Sequence, residues 1–196
     1  VSSSAVGRSA DTMLASASGA LIATLYIWWK FGKPDPSMMA NGMLAGLVAI
    51  TAPCAFVNAP LAILIGAVAG FLVVTAVFFV DQKLRVDDPV GAVAVHGVNG
   101  LWGTLAVGLF ADGTYGEGLN GVAGPVRGLF YGDASQLGAQ LIGIVACIAF
   151  VFPTMYFFFK ISNKFVPLRV SARDEYDGLD LPEMGIKGYE DLNSSG

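Results

Sequence analysis

Apolar runs of bilayer-crossing length follow one another along most of this chain, and that succession restricts the fold more than any single residue does. A helix needs about 20 apolar residues to cross the hydrocarbon core of a membrane. Five such runs can be marked, at about 11–29, 38–57, 61–80, 89–111 and 136–164. Charge or proline stops the first three: Lys30, Lys33 and Pro34, then Asn58 and Pro60, then Asp81, Lys83 and Arg85. A glycine-rich loop separates the fourth run from the fifth. Backbone amides in lipid have no water to bond, so spans of this kind must be helical. The expected fold is an all-α polytopic membrane protein: a loop at 1–10, a five-helix transmembrane bundle at 11–166 and a polar tail at 167–196.

Composition agrees. Charged residues make up 13% of the chain, about half the share in ordinary soluble domains, so lipid is the solvent for most of it. A net charge of −4 without a basic patch leaves nothing to neutralise phosphates, which excludes a nucleic-acid partner. Cys54 and Cys147 lie in apolar runs and read as buried free thiols, and a lone histidine with no Cys/His cluster does not build a zinc site. The chain opens on Val1 in a serine-rich stretch with none of the order of a signal peptide. It reads as a loop entered from a preceding segment, so a longer polypeptide is expected.

Five spans put the two ends of the bundle on opposite sides, and charge chooses between the orientations. With the tail in the cytoplasm, Lys30, Lys33, Lys83, Arg85, Lys160, Lys164, Arg169, Arg173 and Lys187 all lie inside, and only Arg8 and Arg127 lie outside. That obeys the positive-inside bias, and the reverse breaks it. A multi-pass protein of the cell membrane with a cytoplasmic C-terminus follows. Gly42/Gly46 and Gly66/Gly70 are small-xxx-small pairs that allow close helix approach in lipid. Glycines at 91, 97, 100, 103 and 108 crowd the fourth span, for packing or around a narrow path.

His96 is the one ionisable side chain well inside a span. Such groups are costly in lipid and face a bundle interior or a pathway. The plainer reading is a neutral histidine bonded to a neighbouring helix; a neutral imidazole could equally accept a hydrogen bond from a small N–H donor or pass a proton on. Asp88 suits the N-cap of this helix and Pro89 its first position, with ion recruitment by Asp87 or Asp88 as the alternative. Asp11 suits a cap of the first helix. Trp28, Trp29, Trp102 and the aromatics of 150–159 read as lipid-facing or interfacial anchors. Arg127 and Asp133 are a candidate structural pair in the outer loop.

The stretch RVDDPVGAVAVHGVNG at 85–100, continuing into LWGTL at 101–105, resembles the ammonium transporter (Amt/Mep/Rh) family in its Amt branch. NGMLAGLVAIT at 41–51, with Pro53 and Cys54, is similar to the preceding pore helix of that family, and LRV at 168–170 with DGLD at 177–180 to its tail. The resemblance runs from the first span to Tyr189. It implies eleven spans, two inverted five-helix halves and a last long helix, of which these five would be the seventh to eleventh; the missing N-terminal half would supply the rest of the pathway.

By the same resemblance, His96 matches the second of two paired pore histidines, Leu44 and Ala92 line the apolar pore, and Thr51 lies further along. Gly178, Leu179, Asp180, Gly185 and Tyr189 fall in a regulatory tail that would meet a PII-type signalling protein, and the assembly would be a homotrimer. Ala92 is smaller than the valine often found there, Gly91 replaces an acidic residue of some members, and Met184 and Gly188 stand where histidine and alanine often stand. The implied function is a transporter or channel carrying ammonium as ammonia through an apolar pore, with the proton routed separately. An ammonium sensor signalling through the tail is the alternative, and a haem-holding membrane subunit a distant third. No enzyme activity and no cofactor are implied.

Overall fold

A computed structural model describes residues 3–113 and 124–186. The described residues divide into two compact units, one reaching Ala146 and the other beginning at Cys147. The helices run α1 (Ser3–Phe31), α2 (Pro36–Thr51), α3 (Ala59–Phe78), α4 (Asn99–Phe110), α5 (Ala134–Ser162) and α6 (Ala172–Asp177). Wide π-type turns at Phe79–Leu84 and Val93–Val98 extend α3 and lead into α4. Among the described residues, four segments are long and apolar enough to cross a membrane: Gly7–Phe31, Ala59–Leu84, Val93–Phe110 and Ala134–Ser162.

The second apolar run behaves differently. Its helix ends at Thr51, and 52–56 form turns closed by Cys54 N–H donating to Ile50 O and Phe56 N–H to Pro53 O. Pro53 has no amide to give the carbonyl of Ala49 and its ring crowds that carbonyl, so the helix stops before it. At the start, Asp35 accepts from the amides of Ser37 and Met38 at 2.8 and 3.3 Å. Asn58 caps α3 in the same way through Leu61 N–H at 3.2 Å.

Helix α1 begins at Ser3, inside the stretch expected to be a loop. Asp11 therefore caps nothing: it lies in the third turn, 7% exposed. With Ala15, Gly19, Ala23 and Ile27 it forms a buried row at every fourth residue. That row meets both glycine pairs. A Cβ on Gly46 or on Gly66 would meet the carbonyl oxygen of Ala15, and one on Gly70 or Gly42 would meet the backbone of Gly19. Helix α1 thus lies between α2 and α3, backbone against backbone, and the small-xxx-small pairs are what admit it.

Helix α4 closes on this layer by two devices. Gly103 lies against α2, where an added Cβ would come within 2.9 Å of Ala49 Cα. Trp102 donates its indole N–H to Ile65 O of α3 at 3.1 Å and stands edge-on to Phe110. Trp102 is therefore a packing residue, not the lipid-facing anchor its type suggested; Trp28 and Trp29 do remain exposed. Cys54 and Cys147 are free thiols, the first half-buried and the second exposed rather than buried.

Between α4 and α5, Asp112 and Arg127 form a short antiparallel bridge. Asp133 takes a different partner from the Arg127 expected of it: its Oδ1 accepts from Ser135 N–H at 2.8 Å and Ser135 Oγ at 2.5 Å, capping α5. The Ser135 hydroxyl holds this carboxyl below its usual value. A folded-state depression contributes stability that is present above the unfolded pKa and lost as pH falls through the folded one. Asp133→Ala is therefore expected to melt earlier than wild type at neutral pH. The gap should close as pH drops below 3.8, the ordinary value of the group, in a series of thermal melts in detergent.

Candidate pore face and tail

The helix carrying His96 starts later than the sequence suggested. Pro89 and Val90 form a tight turn, closed by Gly91 N–H donating to Asp88 O at 3.0 Å, and Gly91 takes φ +72°. Pro89 therefore precedes the helix instead of opening it. Asp88 reaches across the turn, its two carboxylate oxygens accepting from Ala92 N–H at 2.8 Å and Val93 N–H at 3.0 Å. Both are amides that a helix start leaves without main-chain partners. Asp88→Ala is expected to cost about 0.5–2 kcal/mol, read as a lower melting temperature with the fold retained.

The next turn, Val93–Val98, is a π-type turn. It buries Ala94, Val95 and Asn99 against the bundle and leaves Ala92, Val93, His96 and Gly97 exposed. On α2 the buried row is Gly42, Ala45, Gly46, Ala49 and Ile50, while Leu44 and Thr51 are exposed. Thr51 donates its hydroxyl to Leu47 O at 2.7 Å, which leaves its oxygen lone pairs as acceptors. All four residues expected along a pore thus stand on faces that this chain leaves uncovered.

Asn99, three residues past His96, is a residue to which sequence reasoning gave no role. Its side chain is fully buried, Nδ2 donates to Ala94 O at 2.9 Å, and Oδ1 is buried without a hydrogen-bond partner among the described residues. Leaving such an atom unmet costs about 1–3 kcal/mol. An amide inside an otherwise apolar helix was the available signal, but its partner five residues back lies off the usual helical spacing. No group of three metal-ligating side chains occurs among the described residues.

In the second unit Ser171 caps α6, and Arg169 pairs with Glu175 at 2.6 Å. Gly178 ends α6 at φ 101°, its N–H donating to Asp174 O. Leu179 and Asp180 lead into a wide turn, Asp180–Met184, which Gly185 closes at φ 70°. The two glycines hold positive φ that other residues adopt at a penalty. Tyr189 lies outside the described residues.

Long apolar helices packed through glycine, with an ionisable group inside a span, define a polytopic helical membrane protein. The chain belongs to the Ammonium Transporter Family, whose sequence model matches residues 3–189. It is 42% identical over 180 residues to the ammonium transporter Amt2 of Archaeoglobus fulgidus, covering 91% of this chain and 38% of that protein. To the ammonium transporter of Bacillus subtilis it is 38% identical over 181 residues, covering 92% and 43%. Among solved structures, a protein described as a sensor Amt protein matches with a TM-score of 0.78 at 34% identity, over 93% of this chain and 43% of that one. Saccharomyces cerevisiae Mep2 matches with a TM-score of 0.79 at 29% identity, over 88% and 39%. The chain therefore spans about two fifths of the length of these relatives, and its all-helical fold is that of the matching part of the Amt and Mep2 structures.

Proposed function

We propose that the full protein moves ammonium across a cell membrane and that His96 stands in its path. The observation that carries this reading is the uncovered face. An ionisable side chain within a span avoids lipid, yet His96 is exposed in this chain. Protein or water must cover it, and relatives more than twice as long have the residues to do so. Inverted-repeat transporters place their sites where two such parts meet.

On this reading ammonium gives up a proton at the outer mouth and crosses as ammonia between Leu44, Ala92 and the opposing wall. A bare cation at mid-bilayer costs at least about 2.5–3.5 kcal/mol, and neutral ammonia avoids most of that. The His96 imidazole and the free lone pairs of Thr51 replace part of its hydration. The proton follows separately through His96 and a second histidine from the rest of the protein, so transport is electrogenic. Potassium has no proton to give up and is refused. The tail is cytoplasmic, the segment around Gly178, Leu179, Asp180, Gly185 and Tyr189 meets a PII-type protein, and the assembly is a homotrimer.

The test is the current evoked by ammonium in proteoliposomes holding the full-length protein. A saturable current with ammonium and none with potassium is expected. Silence at verified incorporation overturns transport and favours the second reading, an ammonium sensor, which the likeness to a protein described as a sensor Amt supports.

A further inference from the structure

We propose that Asn99 is a positioning residue for His96: its side-chain amide holds the Val93–Val98 turn wide, and the wide turn sets where the imidazole stands. The inference rests on the reading of His96 as a pore residue. Three observations carry it. The Asn99 backbone N–H donates to His96 O, three residues back, while its side chain reaches Ala94 O, five residues back, at 2.9 Å. Five residues of α-helix are roughly 140° apart around the axis, so Asn99 and Ala94 share a fully buried face only because the turn is wide. The side-chain bond therefore exists in the wide turn and is lost in an α-turn.

Both flanks of the turn are fixed. Asp88 holds the amides of Ala92 and Val93. Trp102 is bonded to Ile65 O, and Gly103 is seated against Ala49. Relaxing the turn by one residue would rotate one flank against the other by about 100°, and His96 lies between them. The unmet Oδ1 gives the third observation. Volume alone is better supplied at a buried position by leucine, so the amide is there for its donor. The donor's direction is set by Ala94 O, since a flipped amide would oppose two oxygens.

A double-mutant cycle in the full-length protein tests this, with ammonium-evoked current read at matched incorporation. Asn99→Leu is expected to lower the current roughly tenfold, and to change nothing further in a His96→Ala background, because residues acting as one unit are non-additive. Asn99→Asp keeps the shape and serves where the leucine variant fails to insert. As a carboxylate it loses the same current, and in acid its O–H donates to Ala94 O and restores part of it, which Asn99→Leu never does. An equal fractional loss in both backgrounds, or wild-type current from either variant, overturns the positioning role alone. If His96→Ala by itself leaves both the current and its selectivity over potassium unchanged, the pore reading falls and takes this inference with it.

Discussion

Gly66→Leu is expected to abolish the folded protein. The ideal Cβ at this position meets the carbonyl oxygen and Cα of Ala15 and the hydroxyl of Ser18, and the first two are backbone. No rotamer change relieves such a contact, so α1 must move away from α3. Its path on the other side is closed, because Gly46 of α2 is pressed against the same carbonyl. Overpacking costs about 1–3 kcal/mol where side chains can yield, and more where they cannot. Helix α1 stands to lose a whole buried row, Asp11 to Ile27. The check is size-exclusion profile and melting temperature in detergent, with Gly100→Ala as the control. Beyond the helix's own turn, no atom of the described residues lies within 4 Å of a Cβ at Gly100, and alanine favours helix by about 0.5–1 kcal/mol over glycine. A monodisperse Gly66→Leu protein with wild-type melting would mean that the α1–α3 contact is not tight.

His96→Ala has the largest expected effect on activity. Removing the imidazole takes away the only ionisable group on the uncovered face of α2 and of the α4 segment, and with it both a hydrogen-bond acceptor and a proton carrier. The ammonium-evoked current of the full-length protein is expected to fall by about tenfold or more, equivalent to about 1.4 kcal/mol in the barrier. Alternatively the variant conducts but admits potassium, since a wider and unprotonatable path no longer demands that the cation shed a proton. Stability should change little, because His96 is exposed within this chain. Unchanged current together with unchanged selectivity would reduce His96 to a packing residue.

Much of the fold was legible in residue order. Spans, glycine pairs and the Asp88 cap each depend on neighbours within a few positions, and hydrophobicity, close helix approach and capping are local properties. Features that residue type alone was used to place were misread. Trp102 looked like an interfacial anchor because its type is common there, whereas its acceptor is 37 residues away in α3. Asp133 was a candidate partner for Arg127, and a hydroxyl two residues on serves it instead. Asp11 was read as a cap because acids favour helix starts, and the helix began eight residues earlier.

The sequence by itself determined that this chain is a set of apolar helices, which end carries the basic residues, and that a histidine is carried into the apolar layer. Those follow from the transfer cost of charge and backbone into lipid, which each segment meets alone. Only the tertiary structure decided that α1 is the helix clasped by both glycine pairs, that Asn99 reaches back to Ala94, and that Leu44, Thr51, Ala92 and His96 are left on uncovered faces. Which face of an apolar helix is buried depends on what packs against it, and in a span that is apolar all round no periodicity marks that face beforehand.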